Sequence, residues 1–331
     1  MQQTVKSKSF LSAEICILGL LATLYVPLLW HWVDGWLNKN ISIQHEYFSH
    51  GLLGIPFAAY LVWESRSQWK KLTPTLSWLA LPLLAAAAIF YISGIPDLLN
   101  LSFPLLLAGI LLALKGQSGF SLYAFPWVLV LLSTPTQLPY LIEPYVLPLQ
   151  SFIAGVAGFI LQQFDVNVFV DGIYLYVNDQ LVEVAPHCAG LKMLFTSLYM
   201  GLILAFWTGL SRSRLRTGLF FVGIIGISVT GNIVRNAALT FFHGAHMEQA
   251  FEWLHESWGG DLYSAAMLGL LVVLIRLLEQ LVPATLKIDQ PAEKAAIAGT
   301  HSYDALPPAD GSAHPTSQPS APPEPTRPDY F

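Results

Sequence analysis

A cysteine with chemically capable neighbours stands just before a long apolar segment of the chain. The sequence reads EVAPHCAGLK at residues 183–192, and MLFTSLYMGLILAFWTG follows it. A cysteine that only fills space in a core does not need a histidine and a lysine beside it. Pro186 favours the first turn of a helix, so we predict that Cys188 lies in that turn. There the helix dipole and Lys192, four residues on, would stabilise a thiolate, which is the nucleophilic form of cysteine.

The second chemical feature is an arginine inside an apolar segment. Arg235 lies within residues 216–242, where a charged side chain is costly and usually faces a cavity or a partner. Asn232 and Asn236 share its helix face by their spacing. A fixed guanidinium can stabilise a developing oxyanion. An arginine paired structurally within a helix bundle is the alternative interpretation.

A proton shuttle would complete such a site, and histidine suits that role. His255 stands between two apolar segments, while His243 lies near the end of the segment that holds Arg235. From the residues alone, the role divides almost evenly between them. His187 adjoins the cysteine, but consecutive helix residues point in different directions. His50 either lines a substrate groove or caps a helix.

Two further groups have weaker claims to chemistry. Glu183 could orient a histidine or contact a substrate, although an exposed loop carboxylate is the simpler interpretation. His243, His246 and Glu252 are the residues from which a zinc site is conceivable, but they lack a recognised ligand spacing. We therefore expect neither a metal nor a cofactor.

The composition places these residues in a membrane protein. Of 331 residues, 54% are hydrophobic and 11% are charged, and the mean hydropathy is +0.54. Soluble domains carry about 25% charged residues. Two cysteines, Cys16 and Cys188, exclude a disulfide framework. Near residue 288 the chain becomes rich in Pro, Ala and Ser, so we expect a membrane domain over residues 1–287 and a disordered cytoplasmic tail over residues 288–331.

The apolar segments are numerous enough for about eight transmembrane helices. About 20 apolar residues cross the hydrocarbon core of a bilayer. The candidate spans are residues 11–32, 48–65, 76–93, 97–115, 119–134, 188–210, 216–242 and 260–282. The first is preceded by Lys6 and Lys8, as in a signal peptide, but its length favours a retained anchor. The expected fold is an all-α polytopic membrane protein.

The charges predict how these spans are oriented. Basic residues gather in alternate connections, namely Lys6, Lys8, Arg66, Lys70, Lys71, Lys115, Arg212, Arg214, Arg216 and Lys287. The opposite connections are acidic and contain one basic residue, Lys39. Since basic loops stay in the cytoplasm, both termini are predicted to be cytoplasmic. Cys188, Arg235 and His255 would then reach the same outer leaflet of the plasma membrane.

Two segments on the predicted outer side are not expected to span. Residues 146–163 are apolar, yet a ninth span there would place the arginines of residues 212–216 outside, so we predict an interfacial or re-entrant helix. Residues 164–184 alternate apolar and polar positions around Asp171-Gly172 and Asn178-Asp179. This pattern is typical of a small β-hairpin or meander.

Four stretches of the chain match the motifs of one known family. Residues 46–66 (EYFSHGLLGIPFAAYLVWESR) are similar to an early Ser-His-Gly segment, and CAGLK (188–192) is similar to a Cys-Ser-Gly-Leu-Arg motif. TGNIVRNAAL (230–239) is similar to an Asn-x-x-Arg segment, and HESWGGDLYS (255–264) to a His-x-x-x-Gly segment. Together they resemble the exosortases and archaeosortases, and especially the cyanobacterial exosortases, over most of residues 45–270. Alanine and lysine at the second and fifth motif positions depart from the pattern.

The resemblance implies a polytopic thiol transpeptidase. Family members recognise exported proteins that carry a C-terminal sorting signal, which consists of a motif such as Pro-Glu-Pro, a hydrophobic span and a basic end. They are thought to pass the acyl group to a cell-surface acceptor. The expected partners are therefore such proteins, membrane lipid and an unidentified acceptor, and no nucleic acid.

The resemblance also implies a role for each residue of the site. Cys188 would attack the scissile carbonyl to form a thioester, Arg235 would stabilise the oxyanion, and His255 would lead His243 as the proton shuttle. Lys192, Asn232 and Glu183 are expected to support this set of residues.

Two alternatives from other classes remain at this stage. A transporter or channel would use Arg235 to bind an anionic substrate, and it would favour ionisable residues near the bilayer midplane and symmetry between the halves of the chain. A structural membrane subunit would act through its tail and would not need Cys188. Neither midplane charges nor repeats are evident in the sequence.

Overall fold

The computed structural model describes residues 2–37, 47–184, 190–255 and 258–282. They belong to the unit Met1–Pro283, and a second unit, Ala284–Phe331, lies outside these ranges. The predicted nucleophile Cys188 and the predicted disordered tail also fall outside them.

Most of the described residues are helical, in agreement with the predicted fold class. The α-helices, in chain order, are α1 (Gln2–Leu37), α2 (Gly51–Glu64), α3 (Arg66–Lys71), α4 (Ala80–Ile92), α5 (Pro96–Leu122), α6 (Ala124–Ser133), α7 (Leu138–Ile142), α8 (Leu147–Gln163), α9 (Leu191–Trp207), α10 (Arg214–Gly244), α11 (Glu248–His255) and α12 (Trp258–Leu281). Short 3₁₀ turns occupy Glu143–Tyr145 and Leu210–Arg212.

Each of the eight predicted spans overlaps one of these helices. Among the described residues, three helices are long and apolar enough to cross a membrane: α5, α10 and α12. The apolar helices α2, α4, α6 and α9 are shorter, with 10–17 residues each. The prediction of membrane helices is confirmed, whereas the number of eight crossings stays a prediction.

A glycine divides α5 at the predicted boundary between two spans. Gly116 has φ 58° and ψ −151°, so the helical path breaks there. A Cβ at this position would lie 2.6 Å from Thr75 Oγ1. Both the backbone angles and the close approach require glycine. The preceding Lys115 donates a hydrogen bond to the carbonyl oxygen of Leu72, which ties the break to the chain before α4.

The predicted β-structure is present as a three-stranded antiparallel meander. Strands β1 (Val168–Asp171), β2 (Tyr174–Val177) and β3 (Gln180–Glu183) follow one another in the sheet. Asn178 and Asp179 both have positive φ, 47° and 62°. A type I′ turn requires this conformation, and it suits the twist of a two-residue hairpin.

One face of the sheet packs on α8 and α10. Val168, Leu175 and Val177 lie in a buried cluster with apolar residues of both helices, including Ile153 and Ile233. Two hydrogen bonds fix this packing. Gln150 Nε2 of α8 donates to the carbonyl oxygen of Val184 at 2.8 Å, and Asn178 Nδ2 donates to the carbonyl oxygen of Gly244 at 3.0 Å.

The predicted helix over residues 146–163 is confirmed as α8. It buries a face of small and aliphatic residues, such as Ala154 and Ala157, and exposes Phe152 and Phe159. Its position at a membrane interface stays a prediction.

Helices α10 and α12 are joined at two heights. At the start of α10, Arg216 Nε and Nη2 both donate to the carbonyl oxygen of Val282, which immediately follows α12. Further along, the Tyr263 hydroxyl of α12 donates to the carbonyl oxygen of Gly231. Phe220 and Leu271, both fully buried, pack in the cluster between the two bonds. The bonded pair of helices α10 and α12 therefore fixes the position of Arg235, which lies on α10.

Candidate functional site

The helix that follows Cys188 begins later than predicted. Gly190 precedes α9 with φ 80° and ψ 12°, and the backbone N–H of Leu194 donates to its carbonyl oxygen at 2.7 Å. A left-handed residue cannot lie within a continuous right-handed helix. The first helical residue is therefore Leu191. Lys192 lies in the first turn of this helix, whereas Cys188 lies outside the described residues and its predicted place stays a prediction.

Gly190 lies directly against Asn232 in the middle of α10. A Cβ on Gly190 would be 2.7 Å from Asn232 Cγ and 2.8 Å from Asn232 Nδ2. Glycine is thus required twice, by its positive φ and by this contact. The contact brings the chain just before α9 to the helix that carries Arg235, one turn below that residue.

The amide group of the Asn232 side chain is buried and can still donate and accept hydrogen bonds. It is 1% exposed, and neither Nδ2 nor Oδ1 has a hydrogen-bond partner among the described residues. An amide buried without partners costs roughly 2–7 kcal/mol. A buried polar group without partners calls for an explanation, and a catalytic role is one such explanation.

Arg235 is half-buried on α10, next to α12. Its Nε is buried and has no hydrogen-bond partner among the described residues. The guanidinium is close enough to the Tyr263 hydroxyl of α12 to interact with it electrostatically. The prediction from the sequence did not include Tyr263, although this tyrosine stands in the stretch HESWGGDLYS.

The two histidines that compete as the proton shuttle have one aromatic neighbour in common. His255, the last residue of α11, stacks on Phe251 with ring centroids 5.2 Å apart and planes at 14°. The ring of His243, near the end of α10, is also 5.2 Å from that of Phe251. His243 is eight residues beyond Arg235, which is about 12 Å along a helix axis.

The remaining predicted residues occupy different settings. Lys192 is half-buried in the first turn of α9, and Glu183 is exposed at the end of β3. His50 is 6% exposed, its Nε2 is 3.1 Å from the carbonyl oxygen of Leu132, and its ring is 4.2 Å from that of Tyr199. His50 occupies the N-cap position of α2, where its carbonyl oxygen accepts from the backbone N–H of Gly54, and its side chain makes no capping hydrogen bond. His187 lies outside the described residues.

A protein site for a metal ion needs a cluster of acidic, histidine or cysteine side chains. Within the described ranges, no three of them come together in a group that could hold a metal ion. The described groups with chemical potential form two sets, namely Arg235 with Asn232 and Tyr263, and the two histidines around Phe251.

Residues 36–272 match the family described as transmembrane exosortase (Exosortase_EpsH), over more than two-thirds of the chain. The chain belongs to the transmembrane exosortase family. Comparisons with curated proteins and with solved structures found no match.

Family membership fixes the general class of the protein. Exosortases are multi-pass membrane proteins and cysteine-type transpeptidases, and they act on exported proteins that carry C-terminal signals. This assignment speaks against the transporter and structural-subunit alternatives.

Proposed function

We propose that this protein cleaves C-terminal sorting signals of the Pro-Glu-Pro type and transfers the exported protein to a cell-surface acceptor through a thioester on Cys188. The observation that carries the proposal is the contact of Gly190 with Asn232. Two residues of extended chain span at most about 7 Å, so Cys188 lies within that distance of Gly190 by its Cα. Asn232 is in turn one helical turn from Arg235.

The proposed reaction has two halves that exchange one acyl group. The Cys188 thiolate attacks the scissile carbonyl carbon, and a C–S bond forms as the carbonyl oxygen becomes an oxyanion. The C–N bond then breaks, and the leaving amine takes a proton from an imidazolium. In the second half, the neutral imidazole accepts a proton from the acceptor nucleophile, which attacks the thioester and releases the thiolate.

Arg235 is proposed to stabilise the oxyanion in both halves. Support comes from its half-buried position and from an Nε with no hydrogen-bond partner among the described residues. A charged donor that is preorganised in a site of low dielectric stabilises developing charge far more than the same donor in water. Asn232 Nδ2 is proposed as a second donor beside it.

His255 is proposed as the proton shuttle, with His243 as the alternative. The preference for His255 rests on the family motif that begins at this residue. Both imidazole rings lie 5.2 Å from the ring of Phe251, which supports keeping His243 as the alternative. Lys192, in the first turn of α9, and Glu183, at the end of β3, are proposed to assist charge balance and substrate contact.

The proposal also includes a membrane topology and a branch of the family. Eight spans would place both termini in the cytoplasm and the site at the outer face, with α8 in the interface and the tail disordered. The cyanobacterial branch of the family is proposed as the nearest one, on the sequence motifs alone.

Coexpression with a reporter tests the proposal. The reporter is an exported protein that ends in Pro-Glu-Pro, an apolar span and a basic end, and its processing is followed by mass. Wild type should process it, Cys188→Ala should leave it intact, and Cys16→Ala is the matched control that should process it normally. Processing by the Cys188→Ala protein would remove the nucleophile from the proposal.

A further inference from the structure

Strand β3 lies at one edge of the meander, and its pairing decides which backbone groups face outward. In the β2–β3 hairpin, Val177 pairs with Gln180 across a two-residue turn, and Leu175 pairs with Val182. The backbone N–H of Val184 donates to the carbonyl oxygen of Ile173 at 2.9 Å, which continues the same alternation. Hydrogen-bonded pairs alternate with non-bonded ones in an antiparallel ladder. The N–H and C=O groups of Leu181 and Glu183 therefore point away from β2.

The described residues contain no strand beyond β3 on that side. Leu181 is 51% exposed, and Glu183 is exposed as well. An edge of this kind is a template for one more strand. The outward N–H and C=O groups of Leu181 and Glu183 would form hydrogen bonds with a partner chain in an extended conformation.

The side chains on the outer face of the sheet add an apolar strip to this edge. Phe169, Tyr176 and Leu181 are directly opposite one another on adjacent strands and are all exposed. The rings of Phe169 and Tyr176 are 5.9 Å apart. A strand added beside β3 would place one of its side chains next to Leu181, at the end of this strip.

We propose that the outer edge of β3 is the substrate-binding strand, on which the extended segment of the exported protein's sorting signal pairs as a fourth strand. The proposal rests on the proposed function, which requires an extended peptide at the site. It goes further by assigning the backbone of Leu181 and Glu183 as the binding groups. Strand addition of this kind obtains affinity from main-chain hydrogen bonds and specificity from alternate side chains.

Two observations favour the substrate as the occupant of this edge. Glu183, the last residue of β3, is five residues before Cys188 in the sequence, so an extended chain of that length would separate them by at most about 18 Å. The sheet is also fixed to α10, the helix of Arg235, by the bond from Asn178 to the carbonyl oxygen of Gly244. A peptide on β3 is thereby held in a constant position relative to α10. The strip further predicts an apolar substrate residue opposite Leu181.

Leu181→Pro tests the pairing because it removes the outward N–H and leaves the bonds of β3 to β2 in place. Proline is tolerated on edge strands in this orientation. With the full-length chain in nanodiscs and a synthetic peptide covering the cleavage segment of the reporter, Leu181→Pro should raise KM about tenfold and alter kcat less than twofold. Leu181→Ala, which keeps the N–H, should raise KM less. Equal effects of the two variants, or an unchanged KM with Leu181→Pro, would overturn the proposal.

Photo-crosslinking provides a measurement that does not depend on turnover or on proline. A benzoylphenylalanine in place of Leu181 in the Cys188→Ala chain should crosslink to the reporter, whereas one in place of the exposed Phe152 of α8 should not. Crosslinks from position 181 to lipid alone would show that the strip is a membrane contact and would overturn the proposal. Failure of the proposed function is separate, since it appears as processing by Cys188→Ala whatever the edge binds.

Discussion

At the scale of single residues, the contact between Gly190 and Asn232 determines how the chain enters the site. Position 190 has no room for a Cβ because the Asn232 amide is 2.7 Å from where that atom would be. The left-handed conformation there adds a second constraint. These two costs can be separated by mutation.

We expect Gly190→Ala to destabilise the protein and to abolish processing. The left-handed conformation costs a residue with a Cβ about 1–2 kcal/mol, and overpacking costs about 1–3 kcal/mol more. Asn232→Ala removes the two nearest atoms, Cγ and Nδ2, and leaves Cβ at 3.1 Å, so the double variant should regain part of the thermal stability lost in Gly190→Ala. A strictly additive double-mutant cycle would show that the two residues are not in contact.

Arg235→Lys should lower processing strongly while membrane insertion and protein level stay near normal. A lysine keeps the charge but loses the planar fork of donors, and the loss of one oxyanion donor typically costs about 10²–10³-fold in turnover. Turnover should be measured on protein shown to be inserted. Near-wild-type turnover would mean that Arg235 has a structural role.

The histidines can be distinguished by the matched pair His255→Gln and His243→Gln. Each variant loses an imidazole next to Phe251 and keeps a polar side chain of similar size. His255→Gln should lower processing at least about 10²-fold, as expected for general acid–base catalysis, and His243→Gln should change it little. The opposite result would move the role to His243.

Residues of the site could be predicted from the sequence only where their type or their spacing is unusual for the surrounding segment. Arg235 in an apolar segment is anomalous on its own, and Asn232 follows from helical spacing. The spacing of Cys188 and Lys192 predicted a helix that begins before Gly190, whereas the described helix α9 begins at Leu191. The left-handed conformation of Gly190 depends on the approach of Asn232 from another helix, which no local pattern reveals.

At the scale of elements, alternation and turn residues were sufficient to predict the meander. The Asn178-Asp179 turn is local chemistry, and the apolar face needs only a partner of any kind. The number of spans could not be tested in the same way, since several apolar helices are shorter than a bilayer core requires. Helix length is set by tertiary contacts as well as by composition.

The break in α5 yields a prediction with a control inside the chain. Gly116 and Gly94 both have positive φ, but a Cβ on Gly94 would meet nothing within 4 Å. Gly116→Ala should therefore lower the melting temperature more than Gly94→Ala does, because it adds a clash with Thr75 to the backbone strain. Equal shifts in the two variants would mean that the contact with Thr75 gives way at no cost.

At the scale of the whole molecule, the charges of the connections predict that the site faces outward. In a variant without Cys16 and Cys188, a cysteine at Asp171, the exposed last residue of β1, should react with an impermeant thiol reagent from the outer side. A cysteine at Lys70, which is also exposed, should react only after the membrane is opened. Labelling of position 171 from the cytoplasmic side alone would reverse the topology and the location of the site.

The double attachment of α12 to α10 has a mechanical consequence. Arg216 of α10 bonds the residue that follows α12, and Tyr263 of α12 bonds Gly231 of α10 near Arg235. The two helices are therefore fastened to each other at two positions. We expect the two helices to shift together along their axes and not to slide past each other. The position of Arg235 along the helix axis is thus expected to depend on the Arg216 bond at the start of the same helix.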